Sequence, residues 1–158
     1  MPDERRRVMI ENAHIFRRNF SGREGMYNQP GQRNFLVSLD EKTAKEMAKD
    51  GWNVKFPEAR DEEEDVRDPY IQVNVGYKIR PPRIVMITST NRIPMNEETV
   101  EALDWVDIAT ADLIFTASEW SVNGKSGIKA WLKSLFITIE EDELERKYQI
   151  NEAFNDPI

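Results

Sequence analysis

Residues 112–139 read DLIFTASEWSVNGKSGIKAWLKSLFITI. Two runs of branched and aromatic residues flank Asn123-Gly124, the strongest short hairpin signal available, because both turn positions require positive φ. A two-residue turn fixes the pairing, so that Phe115 faces Leu132, Thr116 faces Trp131 and Ala117 faces Ala130. Side chains alternate along a strand. One face therefore collects Phe115, Ala117, Ala130, Leu132 and Phe136 and reads as core. The other collects Thr116, Ser118, Trp120, Lys129, Trp131 and Lys133, with Lys125 on the same side nearer the turn. A three-residue turn would flip the first strand only, leaving the parity of the lysine strand intact.

Working outward from the hairpin, RIVMITS (83–89) is apolar on both sides and reads as a central strand, preceded by the breaker Arg80-Pro81-Pro82. PYIQVNVGYKI (69–79) alternates, with Ile71, Val73, Val75, Tyr77 and Ile79 inward and Tyr70, Gln72, Asn74 and Lys78 outward, as in a half-buried antiparallel strand. RNFLVSL (33–39) turns Phe35, Val37 and Leu39 inward and pairs with a first strand over Val8 to Asn19, across a glycine-rich loop. NVKF (53–56) adds a further short strand. Asp40 caps a short helix with Ala44, Met47 and Ala48 inward and Gly51 as its stop. Asn96 caps a second, with Val100, Leu103 and Trp105 inward.

The 158 residues suffice for one domain with its own core. No apolar run has the length of a membrane span, and MPDERRRVMI carries charge where a leader needs an apolar stretch, so a soluble intracellular protein with no membrane partner is expected. Cysteine is absent and His14 is the sole histidine, which leaves little for thiolate or zinc chemistry. The formal charge of −7 is unevenly placed. Residues 58–68 and 140–158 each hold seven acids against two bases, and without them the remainder is net +3. A mildly basic body, residues 1–139 with an acidic loop at 58–68, is thus joined to an acidic tail at 140–158.

A tryptophan flanked two residues either side by lysine, on an exposed sheet face, offers a flat surface to a base and ammonium groups to the adjoining phosphates. The ligand this suits is single-stranded, since duplex bases are already stacked. Arg17, Arg18, Arg23, Tyr27 and Arg33 around the glycine-rich loop repeat the chemistry, as do Tyr70, Lys78, Arg80 and Arg83. The competing reading makes the lysines a solubilising edge and puts Trp131 against a helix or a second copy. Strands in this number, two short helices and a long first loop predict a mainly β fold, an antiparallel barrel of the OB type ending in a long hairpin.

ENAHIFRRNFSG (11–22), DPYIQVNV (68–75) and ADLIFTASEWSVNGKSGIKAWLKSLFITI (111–139) together resemble the small single-stranded DNA-binding proteins of bacteriophages. The resemblance implies an OB fold, sequence-independent coating of single-stranded DNA in phage replication or recombination, and location in the host cytoplasm. It also implies an acidic tail that competes with DNA and recruits replication proteins. Phe154, Asp156, Pro157 and Ile158 stand at the corresponding tip, which ends in isoleucine instead of the family's phenylalanine. Such barrels often pair, so a homodimer is compatible with the reading.

Catalysis is set aside on the residues present, and no cofactor or metal is expected. NGKSG fails as a phosphate-binding loop because Glu119 stands where that pattern needs glycine. The acids at 61–65 lack the spacing and glycine of an EF-hand. Two rival functions stay open at this point: an acidic phage interaction protein that binds a host factor or mimics DNA, and a metal-dependent nuclease using Asp104, Asp107 and Asp112.

Overall fold

The computed structural model describes residues 7–25, 28–57 and 68–141. The expected turn is present, with Asn123 at φ 52° and Gly124 at φ 76°. It joins β8 (Ile108–Val122) to β9 (Lys125–Ile139) in the expected register, Thr116 opposite Trp131 and Ala117 opposite Ala130. The register then slips: Phe115 pairs with Leu132 but Ile114 with Ser134, which makes Lys133 an extra residue in β9. Beyond this bulge the parity inverts. Leu135 and Ile137 enter the core at 0% exposure, and Phe136, expected inward, turns outward under the Arg83 guanidinium at 5.5 Å.

The first segment is not one strand. β1 (Arg7–Ile10) pairs with β8, whereas β2 (Ile15–Asn19) pairs with β3 (Arg33–Ser38), and a bend containing Asn12 at φ 51° separates them. Asn12 N–H is held there by the Asp112 carboxylate at 2.7 Å, and Ala13 N–H by Ala111 O at 2.7 Å. β3 pairs in turn with β5 (Tyr70–Val75), giving the path β1-β8-β9-β5-β3-β2. Both ends of that path lie in residues 7–19. The chain is mainly β and antiparallel-rich, as expected, with parallel pairing along the second edge of β9. There β5 pairs at Ala130 and Trp131, and β6 (Arg83–Ile87) pairs from Ser134 to Thr138. β6 also takes β7 (Arg92–Met95), while β4 (Val54–Lys55) adds to β5.

α1 (Glu41–Lys49) follows its sequence signals: Asp40 Oδ1 accepts from Thr43 N–H at 2.7 Å, Ala44 and Met47 are buried, and Gly51 at φ 103° ends the turn. Trp52, just beyond, is edge-on to Phe115 at 5.6 Å and seals that end of the core. The second helix is a 3₁₀ turn, Val100–Asp104, entered through an Asn96 side chain that accepts from the N–H groups of Glu98 and Thr99. Val100 and Leu103 are buried as expected, but the chain turns away at Trp105, which is 71% exposed. The strand over 69–79 also stops early, at Val75. Tyr77 is half-buried and Ile79 fully out in water. Among the described residues no helix is long and apolar enough to cross a membrane.

Two outcomes test this packing. The Tyr77 hydroxyl is buried without a hydrogen-bond partner among the described residues, and burial pushes its pKa up. Tyr77→Phe should therefore raise unfolding stability by about 1 kcal/mol in urea titration. The Asp40 carboxyl, held below the usual range by its bond from Thr43 N–H, stabilises the fold above the pKa of the unfolded chain. The melting-temperature gap between wild type and Asp40→Ala should be open at neutral pH and narrow as pH falls through that lowered pKa.

Candidate nucleic-acid interface

The face of the sheet turned away from the core carries a graded set of side chains fixed by strand register. One row runs Thr116, Trp131, Asn74, Asn34, Asn19 across β8, β9, β5, β3 and β2. The next holds Gln72, Leu36 and Phe16, and the next Tyr70 and Ser38. Asn74 Nδ2 donates to Ala130 O at 3.2 Å, and Gln72 Nε2 donates to Asn74 Oδ1 at 3.0 Å, so the amides beside the indole are oriented. Phe16 stacks on His14 at 5.3 Å and meets Tyr70 edge-on at 5.7 Å. The surface thus runs from an indole through amides to an aromatic cluster.

Trp131 stands at one side of this surface, 38% exposed, between the exposed Lys129 and Lys133. Its ring lies on Gly76: a Cβ there would come within 2.9 Å of Cζ3. A glycine at that position lets the indole lie against backbone, fixed on that side and accessible on the other. Trp120 uses Gly127 in the same way, where a Cβ would meet Nε1 at 2.9 Å. Arg83 over Phe136 continues the line along β9, and Lys125 and Trp120 extend it onto the hairpin end.

The glycine-rich loop between β2 and β3 is tied to the same rows by asparagines. Asn19 Oδ1 accepts from Arg23 N–H and its Nδ2 donates to Arg23 O, while Asn34 Nδ2 donates to Asn28 Oδ1. Asn28 Nδ2 in turn donates to Arg23 O and Gln32 O. The start of the loop is pinned by Asp104, whose carboxylate accepts from Phe20 N–H at 2.6 Å and Ser21 N–H at 3.1 Å.

An aromatic and cationic sheet face of this kind suits unpaired nucleotides. The family model described as a putative phage ssDNA-binding domain matches residues 3–158. The chain belongs to this family. Among curated proteins nothing matches. Solved structures of the single-stranded DNA-binding protein from bacteriophage Enc34 share the fold. A C-terminal truncation aligns with TM-score 0.58 at 9% identity, over 88% of each chain. A second structure of that protein gives 0.57 at 9% identity, covering 88% of this chain and 84% of that one. A complex with ssDNA gives 0.55 at 7% identity, covering 88% and 89%.

Within this phage domain the sequence-expected residues divide into groups. Tyr70, Lys129 and Trp131 lie on the outward face, with Lys133 at the bulge of β9, Arg83 opposite Ser134, and Trp120 and Lys125 further along the hairpin. Arg17 is exposed at a bulge in β2, at φ 47°, and Lys78 and Arg80 are exposed between β5 and β6. Arg18 and Arg33 do not join them. Arg18 Nη1 donates to Leu103 O and Val106 O at 2.9 and 2.7 Å, which ties β2 to the 3₁₀ turn. Arg33 has the inward parity of Phe35, donates from Nε to Phe20 O at 2.9 Å, and covers the Tyr77 ring at 5.2 Å. Arg23 packs over Trp105 at 5.0 Å and lies 3.8 Å from Asp104. Tyr27, Phe154, Asp156, Pro157 and Ile158 lie outside the described residues.

Phe16, Asn74 and Gly76 also lie on this surface, beyond the residues expected from sequence. The parity opposite to Ile15 marks Phe16, but the bulge at Arg17 breaks the alternation that would have shown it. Gly76→Ala should lift the indole off its seat: acrylamide quenching of tryptophan emission should increase, and should not do so when Trp131→Phe is already present.

Proposed function

We propose that the protein coats single-stranded DNA with little sequence preference, during phage replication or recombination in the host cytoplasm. The observation that carries this reading is the Trp131 ring, seated on Gly76 between two exposed lysines and continuous with the amide and aromatic rows of β5, β3 and β2. Bases stack on Trp131 and on the Phe16–Tyr70 cluster, and Lys129, Lys133 and Arg83 hold phosphates. The strand path, whose two end strands are consecutive within residues 7–19, supports an OB-type barrel as the scaffold. Membership of the phage family and the ssDNA complex of the Enc34 protein support the same ligand.

We further infer that residues 140–158 act in cis as a competitor and through Phe154, Asp156, Pro157 and Ile158 as a docking peptide for replication proteins. The tail's point of departure supports this. Ser89 N–H and Oγ donate to the two Glu141 oxygens at 3.1 and 2.7 Å, which fixes where the segment leaves the sheet. Seventeen residues follow Glu141, and extended they span about 55 Å. Trp131 lies about 33 Å back along β9. A tethered anion with that reach is present at high effective concentration.

Oligo-dT should quench tryptophan emission, with log affinity falling against log salt at a slope of about −0.7 per phosphate contacted. Trp131→Ala should weaken binding by about 1–3 kcal/mol with unfolding stability little changed, and removal of residues 142–158 should strengthen it. Absence of any shift of oligo-dT at low salt, with or without the tail, would sink the reading.

A further inference from the structure

The connection between β5 and β6 has both ends fixed on β9. Gly76 lies against the Trp131 ring, and Arg83 opens β6 opposite Ser134. Those two points of β9 are about 10 Å apart, whereas the six residues between Gly76 and Arg83 span about twice that when extended. The surplus chain has to arch away from the sheet. Its ends are anchored, Tyr77 beneath the Arg33 guanidinium and Pro82 in a buried position, and its middle, Lys78 to Pro81, is exposed. Ile79 is 91% exposed, more than any other large apolar side chain among the described residues.

A single exposed apolar residue is ordinary in itself. This one is held between two cations, in a connection stiffened by Pro81-Pro82, within four residues of the glycine that seats the indole. Unpaired bases present apolar faces, and aliphatic side chains act as wedges that interrupt base stacking. We propose that Ile79 is a base-contacting residue: it packs against the nucleobase next to the one on Trp131, while Lys78 and Arg80 take the flanking phosphates. The proposal rests on the single-stranded DNA reading and adds a preference to it. A strand that must unstack at this point should be bound better when its bases stack weakly, so thymine runs should be favoured over adenine runs.

The test uses the full chain with oligo-dT and oligo-dA of one length, titrated at several salt concentrations. Ile79→Ser should weaken oligo-dT binding about tenfold, the worth of roughly two buried methylenes, with an unchanged salt slope and a smaller dT-to-dA ratio. Lys78→Ala combined with Arg80→Ala should instead make the slope shallower by about 1.4. Wild-type binding with Ile79→Ser unaltered in affinity and ratio would overturn the contact alone. A loss in Ile79→Ser accompanied by a shallower slope would also overturn it, by reducing Ile79 to a support for the cations. A wild-type chain that binds neither oligomer would overturn the parent reading together with this one.

Discussion

β9 is hydrogen-bonded on both edges. One edge is paired with β8 from Lys125 to Ile139; the other takes β5 at Ala130 and Trp131 and β6 from Ser134 to Thr138. A strand held from both sides cannot slip by one residue without breaking two ladders, and a slip would send Ala130 and Leu132 into water and the lysines into the core. The Asn123-Gly124 turn sets the register on the β8 side. The position of Trp131 relative to Asn74 and Gly76 on the neighbouring strand then follows, because the parallel pairing is locked to the same residues.

That locking explains how an acidic protein presents a surface fit for a polyanion. The outward rows contain amides, aromatics and lysines, while three acids of the second half of the chain hold backbone groups. Asp104 holds the start of the glycine-rich loop, Asp112 holds the bend at Asn12, and Glu141 is bound by Ser89. Each of these carboxylates accepts backbone N–H bonds, which fixes loop geometry and offsets part of its charge. The arginines are similarly divided, with Arg18 and Arg33 spent on carbonyls and an aromatic ring.

Much of this was legible in the sequence where one signal sufficed. The turn dipeptide gave the hairpin register down to Phe115 and Leu132, the alternation in 33–39 and 71–75 gave the core of two strands, and Asp40 with Gly51 bounded the helix. What escaped depended on contacts between distant segments. The bulge at Lys133 inverts Phe136 and sends Leu135 and Ile137 into the core, and no local pattern announces the extra residue. The break at Glu11 to His14 arises from bonds to Ala111 and Asp112, a hundred positions away. Charge alone could not separate arginines that face solvent from those that cap carbonyls of the 3₁₀ turn. Trp105 looked inward on helical spacing and stayed outside because the turn is 3₁₀ and ends before it.

The division of residues 7–19 between two partners has a mechanical consequence. Its first half closes against β8 and its second against β3, so a single stretch of chain acts as the clasp for both margins of the sheet. Prising it away, by force or by protease, would bare two short rows of backbone donors and acceptors at once, one on β8 and one on β3. Such margins invite pairing with another molecule, and the thirteen residues that cover the β8 and β3 edges form the two end strands of the path.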